Sequence, residues 1–328
     1  LTMYKKLVFF TALLALCVVV LGAYVRLSDA GLGCPDWPGC YGKISPHHAA
    51  EDIAQAQEIQ PGGPVSTHKA WKEMVHRYFA GTLGLLIGLI ALLAWLKRKE
   101  LDQSPILPTL LVGLVVFQAL LGMWTVTERL KPFIVTSHLL GGLATLALLV
   151  WLALKQQGVN RYAKQNKVYK LKIWGLIGLL LVSLQIILGG WVSTNYAALA
   201  CSGFPQCNGL WWPNMDYSHA FRVVRELGMT VDGDFLSREG LVAIHWTHRL
   251  GAYVVFLYLV WLGLKLLKMP SMRGIAQVML LLLFVQVGLG ISNVLMSLPL
   301  PVAVSHNLGA ALLLIVMVNL NFRLNKAT

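Results

Sequence analysis

Charge is scarce in this chain, and acid scarcer still. Of 328 residues only 12% are charged and 14 are Asp or Glu, while 57% are hydrophobic; a soluble domain carries about a quarter of its residues as charged ones. That shortage excludes a soluble globular protein and marks an integral membrane protein of the all-α class. Cysteine is rare as well, five in all. No small-residue cleavage site of the A-x-A kind follows the first apolar run, so that run reads as a retained helix and not as a secretory signal.

Eight stretches are present that approach the roughly 20 apolar residues a bilayer core requires of a helix: 7–25, 78–96, 106–126, 133–154, 173–192, 250–267, 275–295 and 302–320. What charge there is orients them. With the N-terminus cytoplasmic, the inner segments hold 16 of the 27 Lys and Arg, among them Lys97, Arg98, Lys99, Arg161, Lys164, Lys167, Lys170 and Lys172, against two acids, Glu100 and Asp102. The net charge of +13 is then almost wholly an inside charge, and both termini are cytoplasmic. A bacterial plasma membrane is the expected location. The lysines mark topology and contact anionic lipid; they do not point to nucleic acid.

An internal repeat organises the chain. Leu21, Gly22, Val25, Ala30, Leu32, Cys34, Pro38, Cys40 and Gly42 align on Leu188, Gly189, Val192, Ala197, Leu199, Cys201, Pro205, Cys207 and Gly209 without a gap. His76-Arg77 maps on His248-Arg249, while Gln118, Gly122, Ser137, His138 and Gly141 map on Gln286, Gly290, Ser305, His306 and Gly309. The expectation is two tandem four-helix bundles, 1–155 and 171–328, joined by a basic cytoplasmic linker at 156–170. Four is an even number, so both halves share one orientation, related by a pseudo-twofold axis along the membrane normal. Whether Gly22, Gly122, Gly189 and Gly290 serve contacts within one chain or between copies in a homo-oligomer stays open.

The repeat carries a histidine pair in each half: His76 with His138, and His248 with His306. The first of each pair lies at the start of its apolar run and the second within about two turns of the start of its own, at 1.5 Å per residue, so each pair comes to one level near the outer leaflet. Ionisable groups at membrane depth are costly and usually functional. Two facing imidazoles in a helix bundle suit the axial positions of a haem iron. A histidine satisfied by a neighbouring helix is the plain alternative for a lone residue, less so for four in register. Zinc fits less well, since no further Cys, Asp or Glu stands at tight spacing.

The two halves differ beside these histidines. Glu73-Met74-Val75-His76-Arg77 stands against His245-Trp246-Thr247-His248-Arg249. Residues three apart share a helix face, so Glu73 is placed toward whatever His76 holds, and His245 takes that place in the second half. A carboxylate beside a bound substrate can move a proton or polarise a reacting group; near a helix start it is also favoured by the helix dipole alone. Arg77 and Arg249 are placed either to clamp haem propionates or to snorkel to the headgroups. Cys34 with Cys40 and Cys201 with Cys207 are C-x5-C pairs in outer loops, on the oxidising side, which favours two local disulfides. Stapling of the loops is the simpler role for them, and a redox relay the sharper one, without a thiol-activating partner to support it. Cys17, within the first run, packs.

With the stretch Gly31-Leu32-Gly33-Cys34-Pro35-Asp36-Trp37-Pro38-Gly39-Cys40, the Glu73-x-x-His76-Arg77 motif and the duplicated four-helix plan, the chain resembles the haem A synthase family over essentially its whole length. The resemblance implies oxidation of one ring methyl of haem O to a formyl group through a hydroxymethyl intermediate, giving haem A for cytochrome oxidase, with molecular oxygen as co-substrate. It implies a haem b cofactor on His248 and His306, beside His245 and Arg249. The haem O substrate would sit at His76 and His138 with Arg77, and Glu73 would be the catalytic group. Haem O synthase, cytochrome oxidase assembly factors and an electron donor would be partners. It gives little guidance for 44–65 and 214–239. The residues alone reach only a two-site haem membrane protein, and a di-haem b-type cytochrome linked to quinol is the alternative. A transporter is disfavoured, because its sites tend to the midplane and to broken helices.

Overall fold

A computed structural model describes residues 2–101, 103–157 and 171–326. Among them the only strand-like pairing is three isolated bridges in loops, and eight helices are long and apolar enough to cross a membrane. These are α1 (Thr2–Leu27), α2 (Thr67–Leu96), α3 (Ile106–Thr127), α4 (Pro132–Gln156), α5 (Lys172–Thr194), α6 (Arg238–Leu267), α7 (Arg273–Leu295) and α8 (Leu300–Lys326).

Two helices begin well before their apolar runs. Hydropathy starts the second span at 78 and the sixth at 250, whereas α2 begins at Thr67 and α6 at Arg238. The cause is local and polar. Ser66 and Ser237 are extended residues whose side chains accept the Lys69 and Gly240 N–H groups, satisfying donors that every helix start leaves open. Glu73, His76, His245 and His248 therefore sit two to three turns inside their helices, not in the first turn.

The chain divides into two compact units between Leu149 and Val150, inside the last two turns of α4 and a few residues before the boundary read from the repeat. The linker expected at 156–170 lies outside the described residues apart from Gln156, which ends α4, and Gln157. In the first unit α2 packs on α1 and on α3. There α4 approaches α1 at Gly142, where a Cβ would stand 3.9 Å from Val19 Cγ2. In the second unit the contacts close a ring, α5 on α6 and α8, and α7 on α6 and α8.

Inside a bilayer, helices are held by close packing and hydrogen bonds, because lipid is as apolar as leucine. Such packing lies at the end of each unit where its odd-numbered helices begin: Val8, Ile87, Leu111 and Leu146 in the first, Leu259, Leu262, Met279 and Met317 in the second, all buried. Asn321 Nδ2 of α8 also donates to Gly175 O of α5 at 2.9 Å, a kind of bond worth about 0.6 kcal/mol on average. At the other end, His76, His138, His248 and His306 lie deep among helices yet are only half-buried. Each unit is tight at one end and looser at the other.

The looser end is covered by the long loops. Between α1 and α2 a helix, Ala50–Ile59, buries Ile53 against Cys34, Cys40, Ala70 and Met74. Between α5 and α6 a helical turn, Tyr217–Ala220, is capped by Asp216, and Trp191 Nε1 donates to Ala220 O at 3.0 Å. These are the two stretches, 44–65 and 214–239, on which the sequence offered least.

Candidate functional site

Each of the four histidines fits a notch made by a glycine on a neighbouring helix. A Cβ placed on Gly22 of α1 would stand 3.0 Å from His76 Cε1, and one on Gly122 of α3 would stand 3.3 Å from His138 Cε1. In the second unit the corresponding distances are 3.1 Å from Gly189 of α5 to His248 and 3.1 Å from Gly290 of α7 to His306. Any side chain at these glycines would press on the imidazole. All four glycines therefore serve contacts within the chain.

The rings of His76, His138 and His306 also bond the backbone of the neighbouring helix four residues before that glycine, at Val18, Gln118 and Gln286. His76 lies within electrostatic reach of His138, and His248 of His306. Nδ1 of His76, His138 and His306 is buried and finds no hydrogen-bond partner, a costly state for a ring nitrogen. Among the described residues no group of three His, Cys, Asp or Glu is placed to hold a bare metal ion. Two imidazoles per unit, each seated on glycine and three of the four with an unpartnered Nδ1, suit a metal that brings its own in-plane ligands. Haem iron does this, and a bare zinc ion does not.

Glu73 is turned to the loop rather than toward His76. Its Oε2 accepts the Cys34 N–H at 3.0 Å, and its Oε1 accepts Arg77 Nη2 at 2.5 Å. Arg77 Nη1 in turn donates to the carbonyls of Asp36, Pro38 and Gly39. His245 does the same work in the second unit. Its Nδ1 lies 3.3 Å from the Cys201 N and its Nε2 3.2 Å from Arg249 Nε, and the neutral ring accepts at one of the two; Arg249 donates to the carbonyls of Cys201, Gly203 and Gln206. Both arginines are engaged with loop backbone. Neither the propionate clamp nor the snorkelling pose read from the sequence describes that contact.

The loops so held are closed by disulfides. Cys34 and Cys40 are bonded with Cα atoms 4.9 Å apart, and Cys201 and Cys207 with Cα atoms 4.7 Å apart. Cys40 pairs with Lys43, and Cys207 with Leu210, in matching bridges. Met74 packs against the first pair and Trp246, its repeat equivalent, against the second. Cys17 is a free thiol on the exposed face of α1, not a core residue.

Three glutamines stand beside the histidines, and their role was not read from the sequence. Gln185 Nε2 lies 2.9 Å from His248 Nδ1, and Gln286 Nε2 lies 3.4 Å from His306 Nε2. Gln118 is buried, with both amide atoms unpartnered. The signal was available: each glutamine lies four residues before the glycine that seats a histidine, hence on the same helix face.

A family model described as a cytochrome oxidase assembly protein matches residues 5–318. A haem A synthase of Shewanella oneidensis is 43% identical over 95% of this chain and 94% of its own length. Haem A synthases of Shouchella clausii and Caulobacter vibrioides are 31% and 26% identical, over 64% and 97% of this chain and 66% and 95% of their own lengths.

Proposed function

The chain belongs to the cytochrome oxidase assembly protein family, and on that premise we propose that it is a multi-pass membrane oxidoreductase converting haem O to haem A. A ring methyl of haem O goes first to a hydroxymethyl and then to a formyl group, with four electrons removed and molecular oxygen as co-substrate. The observation that carries this reading is the pair of glycine-seated imidazoles in each unit, with Nδ1 of His76, His138 and His306 left unpartnered. Two sites of one build, differing at Glu73 and His245, suit one permanent haem and one that is transformed.

His248 and His306 would hold haem b, which when bound supplies single electrons. His245 and Arg249 hold the loop over that site. In the first unit His76 and His138 receive the substrate porphyrin, Arg77 fixes the loop above it, and Glu73 is the carboxylate that moves a proton at the reacting carbon. With Glu73 Oε2 on the Cys34 N–H and Oε1 on Arg77, the carboxylate is held at one place and reaches the substrate by exchanging one of these bonds. Both termini are cytoplasmic, in a bacterial plasma membrane. An electron donor, haem O synthase and assembly factors of the oxidase are the expected partners.

The test is expression with a source of haem O, followed by extraction of pigment from the purified chain. Haem O or haem A beside haem b supports the reading. Two haem b per chain and nothing else would indicate an electron-carrying cytochrome.

A further inference from the structure

The four histidine notches follow one rule with one exception. Where His248 is seated on Gly189, Gln185 stands one turn earlier on α5 and fills the space over Gly251, three residues beyond the histidine, where a Cβ would collide with its amide. His306 has Gly290, Gln286 and Gly309 in the same relation, and His138 has Gly122, Gln118 and Gly141. At His76 the glycine, Gly22, is present, but Val18 stands where the glutamine should be and Phe79 where the second glycine should be. The two exchanges go together: without the amide there is nothing for a glycine to make room for.

The glutamines also differ in what they hold. Gln185 and Gln286 each reach a ring nitrogen of their histidine, and in both the amide oxygen Oε1 is buried without a partner. An imidazole that binds a metal through one nitrogen carries its proton on the other and needs an acceptor there. A half-turn of either amide presents the unpartnered Oε1 to that N–H. Both imidazoles of the second unit therefore have a side-chain acceptor within reach. In the first unit His76 has the backbone of Val18 but no side-chain acceptor, and the Gln118 amide is engaged with nothing.

We propose that Gln185 and Gln286 lock the imidazoles that would hold the permanent haem, and that Val18 with Phe79 leaves His76 without a side-chain lock, as the ligand that yields when haem O enters and haem A leaves. Val18 and Phe79 are positioning residues: they act through the freedom they leave to His76. The exchange is a ligand substitution in which the imidazole departs with its own lone pair and no electron is transferred. The proposal rests on the two-site reading given above.

The experiment uses the full-length chain, purified with its haems and mixed with excess apomyoglobin, while the release of haem b and of haem O is followed separately by extraction and chromatography. Loss of an outer partner of a metal-bound histidine typically costs on the order of ten- to a hundredfold in affinity. Gln185→Val is expected to speed haem b release by that order, Gln185→Glu, which keeps an acceptor, to leave it near wild type, and Val18→Gln/Phe79→Gly to slow haem O release by a similar factor. A low-spin electron paramagnetic resonance signal gained in the first site of the double variant would accompany the slowing. Unchanged release of haem b in Gln185→Val overturns the proposal, as does unchanged release of haem O in a folded double variant. If the double variant does not fold, the Gln185→Val and Gln185→Glu pair decides alone. A chain that never carries haem O defeats the two-site reading and this proposal together; one that carries it but ignores the glutamine changes defeats this proposal only.

Discussion

Exchanging Glu73 for histidine separates two jobs that one side chain holds. Both Glu73 oxygens are committed to the loop, one to the Cys34 N–H and one to Arg77, in a pair whose side chains are only 6% and 12% exposed. Breaking a buried pair by deleting one partner typically costs about 3–5 kcal/mol. Arg77 keeps three backbone carbonyls of the loop, so Glu73→Ala should fall toward the lower end of that range. Glu73→His should cost less, about 1 kcal/mol on the scale of one neutral hydrogen bond, because His245 shows that an imidazole at this position faces the same two donors and can accept one of them. The chemical loss scales differently: removing a general acid or base typically costs roughly 10²–10⁴-fold in rate, or about 3–5 kcal/mol in the barrier. The assay measures thermal unfolding of the purified protein and, in parallel, haem A formed per haem b. Glu73→His should stay folded with its loop held and make little haem A, and Glu73→Gln should behave alike. A Glu73→His protein that makes haem A at the wild-type rate would refute the catalytic assignment and leave the carboxylate as a loop anchor.

His248→Ala and His306→Ala should each remove or convert the low-spin haem b signal, and unchanged spectra and stoichiometry in both would sink the assignment. Gly189→Ala should lower haem b content with helicity retained, since the new methyl would stand 3.1 Å from His248 Cε1; full haem loading would count against the notch. Cys34→Ser and Cys201→Ser each open a loop of seven residues, which chain entropy values at about 2 kcal/mol. Lower stability with normal membrane insertion is expected, and mass mapping without reduction should find Cys34 with Cys40 and Cys201 with Cys207; scrambled or free thiols there would contradict the structure.

The eight spans were legible because a bilayer imposes one length and one composition. The histidine pairs were legible because an ionisable group stands out in an apolar run. The helix starts were not: Ser66 and Ser237 extend α2 and α6 through polar turns that hydropathy does not register. The direction of Glu73 was hidden for a related reason, since spacing on one helix cannot reveal that Arg77 and the Cys34 N–H, 39 residues away, take both oxygens. The glutamines lay in plain view in the repeat, but their meaning needs the neighbouring helix. Only contact across α5 and α6 shows that Gln185 faces Gly251 and His248, and hence that Val18 and Phe79 are a paired exception.

The central claim is that one chain holds two different haems, one kept and one converted. Extraction of the purified full-length protein, expressed with a haem O source, followed by chromatographic and mass identification of each pigment, tests it directly. One haem b per chain is expected, accompanied by haem O, its hydroxymethyl form or haem A, with the second group lost in His76→Ala and His138→Ala. Two haem b per chain, with no oxidised or farnesylated porphyrin in any preparation, would contradict it.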